Sequence, residues 1–169
     1  TSSSLTHGTN AFTTGNALIT PGVLGVADAD ARDKVINYVH GLDPYDDNSN
    51  GNTTEKREWI LGSFLHSRPL IIHYGSSRSV IYAGSNGGML HAFDDSDARE
   101  LWGFIPPDVL NKLHALHADV IENYVDGSPK AYLSYDANGT LVKAILIIGE
   151  RRGGNHYYAL DVTNPDSPK

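Results

Sequence analysis

Hydrophobic and polar positions change their spacing several times along this chain. Residues 1 to about 27 are rich in Thr, Ser, Gly and Asn and keep no regular period, so they read as an extended lead-in. A helical period follows. Asp28 or Asp30 is placed to cap a helix whose apolar face holds Val35, Ile36 and Val39, and Gly41 sits where a left-handed residue closes such a helix. The stretch 43–55 is polar and oxygen-rich and predicts a loop without a core. From Arg68 onward the texture is β. Runs dominated by Val, Ile, Tyr, Phe and Trp predict strands over 69–73, 79–84, 89–94 and 100–105. Pro106-Pro107 ends that set, and Asp108 is placed to cap a second helix with Val109, Leu110, Leu113 and Leu116 on one face. Three more strands are predicted over 130–135, 141–149 and 157–162. The turn Asp136-Ala137-Asn138-Gly139 joins the first two as a hairpin, with Asn138-Gly139 supplying positive φ angles.

Two of these stretches are alike. Ser79 to Asp94 and Ala144 to Asp161 each read as a strand, a Gly-rich turn and a second strand ending in Ala-x-Asp. Asp94 and Asp161 lie 67 residues apart. Removing a helical insertion of roughly 20 residues leaves about 45, the length of one four-stranded propeller blade. The expected fold is therefore all-β: a fragment of a β-propeller with quinoprotein-like blades and two short helices. Residues 1–57 form the lead-in with its helix and polar loop, and residues 58–169 form about two blades with a helical insertion near 107–119. The first blade is complete, and the second lacks the strand that would follow Lys169. A propeller closes with about four to eight blades. Two blades leave sheet faces uncovered, so the rest of the propeller or a companion chain is expected beside them. An unrelated α+β domain with two sheets is the plainer alternative.

Charge and composition narrow the function. With 13 basic and 20 acidic residues among 169, the net charge is −7, and no basic stripe is available to replace the counterions of nucleic acid. Anionic membrane is disfavoured on the same ground. The chain has no cysteine, which excludes disulfides, thiolate metal sites and thiol nucleophiles. No apolar run has the length of a membrane span. Thr1-Ser2-Ser3-Ser4 lacks the charged and apolar regions of a signal peptide, so a secreted protein would carry its signal upstream or have lost it.

Four groups of residues carry candidate chemistry. Asp46, Asn48, Asn50 and Gly51 have the oxygen spacing of a calcium loop, and Asn52 can add a carbonyl. Arg57 stands where the bidentate Glu of an EF-hand belongs, so Glu58 or Glu55 would substitute. The expected calcium ligands are Asp46, Asn48, Asn50, Asn52 and Glu58, with a dissociation constant on the order of 10⁻⁴ M suited to extracellular calcium. A turn without metal is the plain alternative. His114 and His117 lie on one helix and would need His66, His73 or Asp119 to hold zinc, whereas their interleaving with Leu113 and Leu116 fits a helix edge. Arg151-Arg152-Gly153-Gly154 is a basic turn that could grip a carboxylate or phosphate, or simply form a solvated hairpin tip. Asp94 stands eight residues before Trp102, a spacing that resembles the tryptophan-docking repeat of quinoprotein-type propellers, although Asp97-Ala98 replaces the usual Thr-Gly. There the Asp would hold the turn and the indole would pack between blades. No Ser/His/Asp set or paired carboxylates stand out, and the segment 84–88 lacks the Lys and helix of a phosphate loop.

Several motifs in order carry a resemblance. Glu58-Trp59-Ile60-Leu61-Gly62-Ser63-Phe64-Leu65-His66-Ser67-Arg68-Pro69 resembles the W-x-L-G-D-x-x-H-S-x-P segment of the PilC/PilY-type tip adhesins of bacterial type IV pili, with Ser63 where the family has Asp. Ala83 to Asp94, Glu100 to Pro107, Val125-Asp126-Gly127-Ser128-Pro129 and Tyr157 to Pro165 follow in the family's order, so the likeness covers roughly residues 33 to 169. The resemblance implies the opening part of a large C-terminal propeller. It further implies a non-catalytic surface module, extracellular at the pilus tip or outer membrane surface, that supports pilus biogenesis and adhesion and is calcium-tuned in some members. Minor pilins of the tip complex and a host or abiotic surface are the implied partners. The family's best-known calcium loop lies beyond this chain, so the Asp46 loop is a reading of local chemistry. The other function class is a propeller piece of a quinone-dependent alcohol dehydrogenase-like enzyme, which would need a cofactor pocket with convergent metal ligands and a base.

Overall fold

The computed structural model describes residues 4–118 and 122–169. The lead-in is not extended. Ile19 and Leu24 are buried with Val35 and Ile36 of helix α1 (Ala29–Val39) and with Val109, Leu113 and Tyr124, making a small core of their own. Its backbone is satisfied by successive turns, as in Asn16 N–H to the Thr13 carbonyl at 3.0 Å and Leu24 N–H to that of Pro21 at 3.1 Å. Arg32 of α1 then pins it, Nη2 donating to the carbonyls of Thr14 and Asn16 at 2.9 Å each. Sparse, unevenly spaced apolar residues can build a core when turns and one guanidinium satisfy the backbone. Asp28 is the N-cap of α1, its Oδ1 accepting from Ala31 N–H at 2.9 Å, and Gly41, at φ 87°, ends the helix.

Two antiparallel meanders follow. The first sheet has the order β1 (Leu70–His73), β2 (Ser79–Gly84), β3 (Leu90–Asp94), β4 (Glu100–Phe104). The second has the order β5 (Lys130–Tyr135), β6 (Leu141–Gly149), β7 (Tyr157–Asp161). The chain is thus mostly β with few helices, and neither sheet closes on itself. Between the sheets Leu110–Ala115 forms a 3-10 helix rather than the α-helix expected there. Asp108 does not cap it: the cap position is Val109, without a side-chain bond, because the Asp108 carboxylate is taken by Tyr158 and His156 of the second sheet. In the β5–β6 turn only Gly139, at φ 79°, takes positive φ, and the Asp136 carboxylate accepts from Asn138 and Thr140 N–H. Just past the turn, Val142 of β6 is skipped in the pairing, which appears as a register shift at Ser134/Tyr135.

The two sheets share one core. Ile72, Val80, Tyr82, Leu90 and Ala92 of the first meet Ala144, Leu146, Ile148 and Leu160 of the second, with Val125 and Val162 between them. Polar ties cross the seam. Trp102 Nε1 donates to the Pro165 carbonyl at 2.7 Å, the Tyr74 hydroxyl to that of Val162 at 2.8 Å, and Arg78 grips the Asp166 carboxylate through two bonds of 2.6 Å.

The sheets are copies of one unit. Val80 faces Asp94 as Ile145 faces Asp161, and Gly84 faces Leu90 as Gly149 faces Tyr157. Asp94 accepts from Ser96 N–H and Oγ, and Asp161 accepts from Thr163 N–H and Oγ1, so both turns are held alike. Each aspartate also meets a cation two residues before its facing position, Arg78 at 3.5 Å and Lys143 at 2.6 Å. The Lys143 bond and those from Thr163 pull the Asp161 carboxyl down to about 2. On this alignment the sheets do not present the same face to each other. The first contributes Val80, Tyr82, Leu90 and Ala92 to the core, and their equivalents Ile145, Ile147, Tyr157 and Ala159 point away from it. The sheets stack front to back.

Candidate functional site

The polar loop gathers part of its predicted set. The Asp46 carboxylate accepts from the backbone N–H of Asn50 at 2.9 Å and Gly51 at 3.0 Å. Asn48 and Asn50 each donate Nδ2 to Glu55 Oε1 at 2.6 Å. Asn52 instead serves the next turn, its Oδ1 accepting from Thr54 N–H at 3.1 Å. Glu58 is exposed and lies beyond the Leu42–Lys56 bridge at the base of the loop. The structure therefore brings Asn48 and Asn50 to the Glu55 carboxylate, while Asp46 holds the backbone of the same loop at Asn50 and Gly51. Asp46, Ser49 and Gly51 take positive φ, the tight winding that short oxygen-bearing side chains permit.

The histidines considered for zinc separate. His114 Nδ1 lies 3.3 Å from the Leu24 carbonyl, and His117 stacks on Tyr45 with ring centroids 3.8 Å apart. His66 pairs with Asp126 at 2.8 Å and His73 with Ser79 at 2.7 Å. Asp119 lies outside the described residues. Arg151 of the basic turn folds back, its Nη1 3.6 Å from the buried Asp126 carboxylate. That turn serves an internal charge at its first arginine.

A cluster that the sequence does not announce lies between the 3-10 helix and the second sheet. Asp108, Glu150 and His156 bring one ligand atom each to within 4.8 Å of one another, and they are the one such group of His, Asp and Glu among the described residues. His156 Nδ1 is 2.8 Å from Asp108 Oδ2 and 4.0 Å from Glu150 Oε2. The Tyr158 hydroxyl donates to Asp108 Oδ1 at 2.5 Å. Burial, then the neighbouring Asp108 carboxyl, pushes the Glu150 carboxyl above its ordinary value. Burial also pushes Asp108 upward, but bonds from Tyr158, Glu150 and His156 outweigh it and hold that carboxyl below its usual range. The cluster was hidden because its three members lie apart in sequence, before the 3-10 helix, after β6 and before β7. The available signal was Glu150 itself, a charge placed directly after the apolar run Ile145 to Ile148.

Comparison with known proteins gives one consistent answer. The chain is 30% identical over 168 residues to a type IV pilus biogenesis factor PilY1 homolog of Xylella fastidiosa, covering 82% of this chain and 13% of that protein. It is 42% identical over 94 residues to the type IV pilus biogenesis factor PilY1 of Pseudomonas aeruginosa strain PAO1, covering 53% of this chain and 8% of that protein. The chain belongs to the PilY1-type type IV pilus factors. It spans 13% or less of the length of the curated relatives it matches. No family model matches the chain, and no solved structure matches it significantly.

The PilY1-type motifs have distinct places in the fold. The Ser67 hydroxyl accepts from Gly84 N–H at 2.9 Å, so the segment before Pro69 caps the end of β2. Val125 N–H reaches the Ser85 carbonyl at 3.2 Å and Asp126 N–H that of Glu150 at 3.3 Å, so the segment 125–127 is threaded between equivalent ends of the two sheets. Before them, Trp59, Ile60, Leu61 and Leu65 are exposed, Trp59 to 81%. Among the described residues no helix is long and apolar enough to cross a membrane.

Proposed function

We propose that this chain forms two successive blades of a β-propeller in a PilY1-type protein, a non-catalytic module on the cell surface or pilus tip that supports pilus biogenesis and adhesion. The front-to-back stacking of the two sheets carries this reading. Sheets related by a two-fold axis bury the same face and are then finished. Sheets that stack front to back leave on the second copy the very face that the first has buried, and the relation repeats until a ring closes. Ile147, 41% exposed, and Tyr157, 81% exposed, occupy that face here. The remaining blades are the partner it fits. The relatives are named as biogenesis factors, which supports a role in the pilus machinery, with minor pilins of the tip complex and a host or abiotic surface as partners of the assembled disc.

This chain has no cysteine, so an introduced thiol is the one thiol in these 169 residues. Ile147→Cys in the chain alone should react readily with a thiol reagent. In a protein of the relatives' length it should react at least about tenfold more slowly, as exposure controls thiol reactivity. Equal reactivity in both would sink the propeller reading.

The loop around Asp46 is proposed to take calcium, with Glu55, which Asn48 and Asn50 already reach, as the carboxylate in place of Glu58. Binding to the folded state alone raises its stability by mass action. The thermal midpoint of the chain should rise with millimolar calcium and fall back with chelator, and Asp46→Ala should abolish the difference. A midpoint indifferent to calcium would reduce the loop to a hydrogen-bonded turn.

A further inference from the structure

We propose that Asp108, Glu150 and His156 form a zinc site that clamps the segment after the first sheet to the second sheet. Two observations independent of each other point to a cation. The first is the ligand geometry. Asp108 Oδ2, Glu150 Oε2 and His156 Nδ1 converge, the two oxygens lying 2.8 and 4.0 Å from the imidazole nitrogen. Tetrahedral zinc with bonds of about 2.0–2.2 Å holds its ligand atoms roughly 3.3 Å apart, between those two values. The second is Glu150. Its residue exposure is 1%, and while Oε2 accepts from His156 N–H at 3.3 Å, Oε1 is buried with no hydrogen-bond partner. A buried carboxyl oxygen without a partner is costly, and two facing carboxyls can be satisfied by a shared proton or by a cation; the imidazole beside them supplies the third ligand that a metal ion needs.

The surroundings are built for such an ion. Tyr158 holds Asp108 Oδ1, which leaves Oδ2 turned to the imidazole, the outer support that metal-binding carboxylates receive. Gly154 lies against both carboxylates, and a Cβ there would overlap Glu150 Oε2, so the hairpin turn can close over the pair only without a side chain. Lys112, the nearby ammonium, donates to the Gly153 carbonyl at 2.6 Å and so fixes the turn. The His156 side chain is 55% exposed, which gives the ion a path in and leaves room for water as a fourth ligand. An imidazole with two carboxylates suits zinc and its first-row neighbours, whereas calcium takes an all-oxygen shell. The site is separate from the Asp46 loop in both position and ligand chemistry, and it stands or falls independently of the propeller reading.

The probe is zinc chloride added to the purified, metal-stripped protein, followed by calorimetry and by thermal unfolding. One zinc per chain should bind, raise the midpoint by about 5 °C or more at saturation, and be removed by chelator. His156→Ala changes an exposed side chain, and Glu150→Gln keeps the acceptor for His156 N–H, so both should fold without metal. Each should bind zinc at least about tenfold more weakly, since even outer partners of a metal site are worth that much. Absence of stoichiometric zinc binding by the parent protein overturns the proposal. So does wild-type affinity in both variants, which would place the ion on other histidines.

Discussion

Trp102→Ala is expected to lower the unfolding free energy by about 3 kcal/mol, the range seen when large aromatic side chains are deleted from a core. The indole stands on the inner face of the first sheet, in the row Leu70, Tyr82, Ala92, Trp102. Its ring lies 5.8 Å from that of Tyr82, and its N–H reaches across to Pro165, beyond the last strand of the second sheet. Truncation would open a void beside the shared core and leave a carbonyl without its donor. Trp102→Phe separates the two losses, because it keeps most of the apolar area and forfeits a bond worth about 1 kcal/mol. Urea unfolding should show a midpoint shift at constant slope for both variants, larger for alanine. An unchanged midpoint for Trp102→Ala would mean that the indole does not bridge the sheets.

The sheets were legible because their residues obey a local rule. β-Branched residues mark β2 and β6, aromatic residues mark β2, β3 and β7, and the recurring Ala-x-Asp marks where the third strand of each sheet ends. The physical basis of that marker is plain in the structure: Asp94 and Asp161 each fasten the turn two residues on, and each meets a cation, Arg78 just before β2 and Lys143 within β6. What was not legible depends on contacts between distant segments. Ile19 and Leu24 have no period to reveal them, since they are held by Arg32 and by turns. Asp108 looks like a helix cap from its neighbours, and only the fold shows Tyr158 and His156 competing for its carboxylate. The polar loop lies between these cases. Its alternate oxygens could be read from spacing, but which glutamate reaches them depended on where the Leu42–Lys56 bridge closes the loop.

Gly127→Ala should be the other strongly destabilising change, at about 3 kcal/mol, the upper end of what overpacking a close-packed interior costs. Gly127 is buried in the segment threaded between the sheets, and a Cβ there would overlap the Gly149 carbonyl at the end of β6. Both atoms are fixed by backbone, so no side chain can swing aside. On the other side, a Cβ on Gly84 would overlap the Val125 carbonyl, so three stretches of main chain are in contact layer upon layer. The added methyl must push the segment off β6. That stretches the Asp126 bond to Glu150 and moves the Asp126 carboxylate, which His66 and Arg151 hold from the two sides. Gly8→Ala is the control, because nothing lies within 4 Å of a Cβ there, and it should change stability by less than about 0.5 kcal/mol. If Gly127→Ala behaved like that control, the spacing of the two sheets would have to be set by their side chains alone. A full cost would instead assign it to main-chain contact, which explains why a glycine stands in the Val125 to Pro129 motif where the connection between the two repeats lies against the end of β6.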